Sequence, residues 1–485
     1  MCHGQKYHDR IRQGIPIEFS HGLVLLRRLS HGTHVADLAA GYGQADRPTD
    51  PNEVDYNQTR SLRIMTVHMP HAMVLDTSGG FTLPFVSLAL DYILQRASEI
   101  KAALNLRRPL PVIINLSDAV SSGPRDGTGV FESRLKAQLL NANKSLGLDA
   151  HLVLPAGNRF LDRGHAVLDS STVADHALPW RIQPCDASSN YLEIWYPKGE
   201  SPSIELTPPN GAPQTVTSAQ AAQQLLWNGG QIGRVSFDAP PGSGRQRALI
   251  ALAPTEIHGS NSRRTPAGIW HVKISDVSFD DPQVDAWIQR DDLPYSYGTA
   301  GRQSYFDDPK YQRYADDGYP QLEDNDSIVK RAGTISGIAT ANGGNASTIT
   351  VVGGIRASGR HRNTPARAPM SAQGTNGKGP DIAAVSERSA SLNGILAAGS
   401  LSGSTVAQNG TSVAAPQITR ELANRAAKQN LSVQAARNRI LNEAVPVKKP
   451  PKRPAPGASV VPSNEPSDRV GVGMRQQKPG RALRK

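Results

Sequence analysis

The strongest constraint on this chain is an alternation of buried-strand runs with helical periods, which begins at Ser30, breaks off after about Asn158 and resumes much later. Residues 63–69, "RIMTVHM", are short and apolar and read as a strand. In "PFVSLALDYILQRASEI", Val86, Leu90, Ile93, Ala97 and Ile100 recur at helical spacing. "LPVIINLS" reads as a buried strand from its continuous Val/Ile/Leu run, residues 133–146 as a polar-faced helix, and "AHLVLPAGN" as a further strand. Strands alternating with helices fold into a parallel sheet covered on both faces.

The pattern changes near Ala177. "YLEIWYP", "SIELTPP", "ALIALAP", "GIWHVKISD" and "VDAWIQR" are short, aromatic or β-branched, and separated by Pro/Gly turns. Apart from a short polar stretch around 217–226 there is no helical period between them. This predicts an antiparallel β-sandwich or jelly roll over 177–295. Residues 296–330 are polar and loop-like. "GTISGIAT", "TITVVGGI" and "GPDIAAV" then return to buried-strand style, and "ITRELANRAAKQ" and "SVQAARNRILNEA" read as two helices. The expected organisation is a remnant over 1–29, one discontinuous α/β domain over 30–176 and 296–445, the β domain of 177–295 inserted into it, and a tail over 446–485.

The net charge of +11 points first to nucleic acid. Its placement points away: the tail holds ten Lys/Arg against two acids, so it carries +8 of that charge and the other 445 residues only +3. A tail of "KKPPKRPAP" composition buries too little apolar surface to fold and reads as disordered. No nucleic-acid partner is expected. No run approaches the ~18 apolar residues of a membrane span, and "MCHGQKYHDRIRQG" lacks the apolar core of a signal peptide, so the default compartment is cytoplasmic. The two cysteines, Cys2 and Cys185, have no motif around them and read as isolated and unpaired.

Three short segments carry chemistry. In "HGTHVADLAAG", His31 and His34 stand three apart before an apolar helical run. A metal site would need an HExxH frame or a third ligand, and neither is present. A core role leaves the intervening Gly-Thr unexplained. In "PAGN", Asn158 follows the C-terminal end of a buried strand, where α/β sheets place ligands and where a carboxamide can donate to an oxyanion; Gly-Asn is equally an ordinary turn. In "NGTSVAAP", Ser412 opens a helix, either as a cap or as a nucleophile over a positive helix end. A histidine and a serine at two helix starts, with an amide donor between them, is the layout of acyl transfer.

Together and in this order, "HGTHVA", "PAGN" and "NGTSVAAP" resemble the three motifs of subtilisin-like serine proteases, the subtilase family. "VLDTSGG", "VIINLS", "ITVVGGI" and "GPDIAAV" resemble its loop and core strands, so the resemblance covers roughly 30–160 and 330–440. It implies an α/β three-layer sandwich around a seven-stranded parallel sheet, here with an inserted antiparallel β domain. It also implies a serine endopeptidase acting on a peptide or protein, with no cofactor and no catalytic metal. Carried over, His31 is the general base, Ser412 the nucleophile, and Asn158 with the Ser412 N–H the oxyanion hole. Ser117, with Ala156 and Gly157 opposite, would hold the substrate backbone and the side chain before the scissile bond. The chain departs from the family at Asp37, where glycine is usual, and at "SDAV", where Ser-Leu-Gly-Gly is usual.

The family's acid precedes its histidine. Upstream of His31 the only aspartate is Asp9, with no strand pattern before it. Asp76 in "LDTSGG" follows the histidine, and Asp37 shares the helix of His31. The expectation is therefore a chain lacking the N-terminal segment that bears the acid. The alternative implied by that gap is a catalytically impaired, peptide-binding relative.

Overall fold

The computed structural model describes residues 30–41, 62–70, 76–80, 82–118, 123–170, 177–256, 264–279, 284–292, 301–316, 318–331, 347–358, 365–372, 380–389, 394–401 and 403–447, together with Met73, Ser391 and Met474. The α/β part comprises helices α1 (His31–Ala40), α2 (Thr82–Ala103), α3 (Val130–Ser145), α4 (Thr411–Lys428) and α5 (Val433–Asn442). Its sheet uses β1 (Leu110–Asn115), β2 (Leu148–Pro155), β14 (Ile349–Arg356) and β16 (Ile382–Glu387), side by side in that order and all parallel. A short β15 (Ala366–Arg367) runs antiparallel to the end of β14.

Side-chain alternation along β2 explains the layering. Leu148, Ala150, Leu152 and Leu154 pack with α2 and α3, through Leu90, Leu94, Ala97, Leu135 and Leu139. Val153 faces the other way, toward Ile418 and Leu422 of α4 and Ile440 of α5. A parallel sheet buried on both faces needs the near-continuous apolar strands seen in the sequence. On α2 the buried stripe is Val86, Leu90, Leu94 and Ala97, while Ile100 of the expected face is exposed.

The expected seven parallel strands are four among the described residues. Residues 63–69 form no strand: among the described residues no sheet pairs with them, and Ile64 is 59% exposed. An apolar run becomes a strand only where a ladder partner satisfies its backbone. "GTISGIAT" lies outside the described residues.

At the base of the sheet a polar chain is buried. The Arg437 Nε–H donates to Thr350 Oγ1 (3.0 Å), and the same hydroxyl is hydrogen-bonded to His151 Nε2 (2.8 Å). The other arm of Arg437 pairs with Asp381 at 2.9 Å, and Asp381 also accepts from the Val351 N–H at 2.8 Å. Burial, with the Arg437 charge, pushes His151 down to about 3. Burial pushes Asp381 up to about 6 against the pull of Arg437 and the Val351 N–H.

Between β2 and β14 lie two antiparallel sheets. One holds β3 (His165–Leu168), β5 (Asn190–Pro197), β8 (Ala222–Trp227), β9 (Gly230–Asp238), β10 (Arg245–Leu252) and β12 (Val284–Ile288). The other holds β4 (Leu178–Ile182), β6 (Ser203–Thr207), β7 (Gln214–Thr217), β11 (Gly268–Ser275) and β13 (Tyr305–Phe306). Residues of both, including Trp180, Ile194, Leu206, Ile250 and Trp270, form one apolar cluster. The polar stretch at 217–226 is strand, because β8 pairs with β9.

These sheets reach beyond 177–295, since β3 pairs with β12 and β13 with β4. The entering and leaving segments are hydrogen-bonded to each other, Val167 N–H to Ile328 O and Lys330 N–H to His165 O. Adjacent ends are what an insertion into one host loop requires. Cys185 is disulfide-bonded, which corrects the expectation of a free thiol there; Cys2 lies outside the described residues. Of the basic tail, Met474 pairs with Val445 and bridges Ala383 of β16.

Candidate active site

The C-terminal ends of adjacent parallel strands β1 and β2 deliver Ser117 and Asn158 to one edge of the sheet. Helix α4 begins beside them. Its N-cap, Gly410, has φ of 118°, and a Cβ there would sit 2.8 Å from Asn158 Nδ2. Glycine is thus required both by the backbone angle and by the close approach of Asn158.

Asn158 is tied to the helix start. Its Oδ1 accepts from the Thr411 N–H (2.8 Å) and the Thr411 hydroxyl (3.0 Å), and Thr411 Oγ1 accepts from the Gly157 N–H (3.0 Å). With the carbonyl occupied, the Asn158 NH₂ is the group left to point elsewhere. Thr411 is fully buried, while Asn158 at the other end of the clasp is exposed.

Ser412 follows, partly exposed, as the second residue of α4. Pro416 stands four residues on and has no N–H, so the Ser412 carbonyl lacks its helical partner. The Ser117 hydroxyl fills that vacancy, donating to Ser412 O at 3.0 Å. Ser117 Oγ itself accepts from Asn115 Nδ2 (2.9 Å), and Asn115 Oδ1 accepts from the Thr419 hydroxyl (3.0 Å). The proline of "TSVAAP" therefore bonds the cleft strand to the serine.

His31 opens α1, which is capped by Ser30 accepting from Thr33 N–H. The imidazole is exposed and has two neighbours: Nδ1 lies 2.8 Å from Gln408 Oε1, and Nε2 lies 3.3 Å from Ser117 O. Gln408 ends β18 (Thr405–Gln408), which pairs with β17 (Ile395–Ala398). Among the described hydrogen bonds none joins the Ser412 hydroxyl directly to His31; Ser117 touches both residues. Gln408 carried no signal in the sequence beyond its place four residues before Ser412.

His34 turns away from this edge. It is buried, its Nε2 lies 2.8 Å from Ile395 O, and burial lowers its pKa. The Asp37 carboxylate accepts from the Ala398 N–H at 2.8 Å, and Asp76 accepts from the Ser78 hydroxyl at 2.5 Å. Neither acid faces His31 Nδ1. Asp9 lies outside the described residues.

Of the residues expected to hold substrate, the Ala156 N–H donates to Val352 O and Gly157 O accepts from the Ala372 N–H. With the Gly157 N–H given to Thr411, little of this backbone is free for a ligand. Among the described residues no group of His, Cys, Asp and Glu could hold a metal ion. No helix among them is long and apolar enough to cross a membrane.

The antiparallel sheets brace the same edge. Glu193, fully buried on β5, accepts from the Gly123 N–H (2.9 Å), Trp195 Nε1 (2.8 Å), Gln289 Nε2 (2.6 Å) and Arg247 Nη1 (3.0 Å). Arg125, two residues past Gly123, lies 4.2 Å over the Trp287 ring, and burial followed by the nearby Arg159 charge lowers its pKa to about 10. His165 stacks on the same ring at 3.6 Å and pairs with Asp285, which also binds Arg245. The segment from Gly123 to Arg125 is thereby docked onto the inserted sheets.

No family model matches the chain, and no curated protein matches it. Among solved structures, the CspB protease of Clostridium perfringens is 17% identical, over 92% of this chain and 77% of that chain, with a TM-score of 0.56. The epidermin leader peptide processing serine protease EpiP of Staphylococcus aureus is 19% identical over 28% of this chain and 30% of its own, with a TM-score of 0.19. The prenylagaramide maturation protease PagA is 20% identical over 28% of this chain and 42% of its own, with a TM-score of 0.19.

The sequence-based identification is corrected on two points. Membership of the subtilase family gives way to a likeness of fold, since no family model matches and the identity to CspB is 17%. The expectation of a lost acid-bearing N-terminal segment is dropped: the likeness to CspB runs over 92% of this chain and gives that segment no support. What the comparison carries is the fold of a subtilisin-like protease with antiparallel sheets set into it.

Proposed function

We propose that this protein is a serine endopeptidase that cleaves peptide bonds through an acyl-enzyme on Ser412. His31 is the general base, and the Asn158 amide and Ser412 N–H receive the oxyanion. The antiparallel insert is a β-sandwich on a three-layer α/β host. The observation that carries the reading is the clasp of Asn158 on Thr411: it puts a free amide donor beside the residue before Ser412, at a helix N-terminus. Donors fixed in advance where negative charge develops are the largest single contribution in acyl transfer. The fold of the CspB protease supports the same reading.

In the forward step the Ser412 oxygen bonds the scissile carbonyl carbon while its proton passes to His31 Nε2. The imidazolium then gives that proton to the leaving amine. Water repeats the cycle on the ester and releases the acid. Ser117, at the end of the cleft strand, lines the approach with Ala156 and Gly157.

One observation favours the impaired relative as a second reading: His31 Nδ1 faces a neutral amide, not a carboxylate. A single labelling experiment separates the two. A fluorophosphonate should form one adduct, on Ser412, and S412A should abolish it. An adduct on Ser400, Ser402 or Ser404 would sink the assignment of the nucleophile, and no adduct at all would favour the impaired reading.

A further inference from the structure

We infer that Gln408 is the positioning residue for His31, an amide standing where this chemistry usually has an acid; the inference rests on His31 being the general base. The ring nitrogen Nδ1 lies 2.8 Å from Gln408 Oε1. An amide can present either its oxygen or its nitrogen, and only a second partner decides which. Here that partner is Ser30 O, 3.4 Å from Gln408 Nε2. A carbonyl oxygen accepts only, so it takes the NH₂ side and leaves the amide oxygen facing the ring. Oε1 likewise only accepts, so the shorter of the two ring contacts, 2.8 Å against 3.3 Å to Ser117 O, favours the proton on Nδ1, and a neutral ring then keeps its lone pair on Nε2.

That is the tautomer a general base needs. The third member of a catalytic triad fixes this tautomer and stabilises the imidazolium that forms. Gln408 supplies the first function without a charge. Its lever is short: it sits four residues before Ser412, joined to it through Gly410, so one strand–turn–helix unit carries both the serine and the group that orients its base. Ser117 O, 3.3 Å from Nε2, gains a hydrogen bond only when Nε2 is protonated, and so assists the imidazolium. The other titratable groups of α1, His34 and Asp37, are turned to Ile395 and Ala398 and do not compete for Nδ1.

The test uses the full chain with ¹⁵N-labelled histidine, His31 being assigned by its loss in H31A. Wild type should show His31 protonated at Nδ1 and bare at Nε2. Q408M, similar in volume but without the acceptor, should lose this single-tautomer signature, and Q408E should keep it. In kinetics Q408M should lower kcat about 10- to 100-fold with KM within about twofold, and Q408E should restore or exceed the wild-type rate. A wild-type His31 proton on Nε2, or a Q408M spectrum identical to wild type, would overturn the inference. So would the expected spectra with an unchanged kcat. A wild type that neither cleaves peptides nor takes a fluorophosphonate overturns the peptidase reading instead, and the spectra then still decide whether Gln408 holds the ring.

Discussion

Asn158→Asp is expected to lower kcat by about 10²- to 10³-fold while KM stays within a few-fold, the loss typical of removing one oxyanion donor. Aspartate is the informative replacement because of how Asn158 is held. Its Oδ1 accepts from the N–H and hydroxyl of Thr411, and a carboxylate accepts both equally well. The clasp on the helix start is kept and only the NH₂ is lost. Asn158→Leu would break the clasp as well, leaving the buried Thr411 groups unsatisfied, and would confuse a structural loss with a catalytic one. The measurement is steady-state hydrolysis of a peptide ester together with the thermal midpoint. An N158D protein that melts like wild type and turns over at the wild-type rate would remove Asn158 from the oxyanion site.

The second large effect concerns acid stability. His151 titrates near 3 in the fold but at its ordinary 6.5 when unfolded. Its contribution is therefore full above pH 6.5 and is lost as pH falls toward 3, about 1.4 kcal/mol per pH unit and at most about 5 kcal/mol in all. Asp381 acts in the opposite sense. Its folded value is raised to about 6 from 3.8, so its contribution is present below 3.8 and lost as pH rises through 6, at most about 3 kcal/mol. Wild type should therefore show a shallow slope between pH 6 and 4. H151Q should gain stability on acidification over that window, and D381N should lose it steeply. Urea midpoints at pH 7, 5.5 and 4 read the effect directly; H151Q and wild type running parallel would show that His151 is not a buried neutral histidine.

Much of the α/β host was legible because its signals are local. A strand such as β2, buried on both faces, must be apolar along its length, and "AHLVLPAGN" says so. The start of α4 was legible because Gly410 and Pro416 each answer a backbone demand. Long-range facts were not. Whether 63–69 is a strand depends on a ladder partner that no local pattern encodes. The reach of β3 and β13 into the inserted sheets was hidden because two- and four-residue strands carry little period. Gln408 was invisible for a different reason: a glutamine in a short strand has no signature, and only the 377 residues' separation closed by the fold puts its oxygen against His31.

The clasp between Asn158 and Thr411 closes a separation of 253 residues, and this sets an order of events during synthesis. His31 and Asn158 leave the ribosome before the antiparallel sheets, and Ser412 leaves after them. At about 5–20 residues per second, Asn158 waits on the order of tens of seconds for Thr411. Through that interval the nascent chain has no clasp. The antiparallel sheets can fold beside an unclasped partner, and under the proposed function the chain gains its capacity to cut only when α4 arrives.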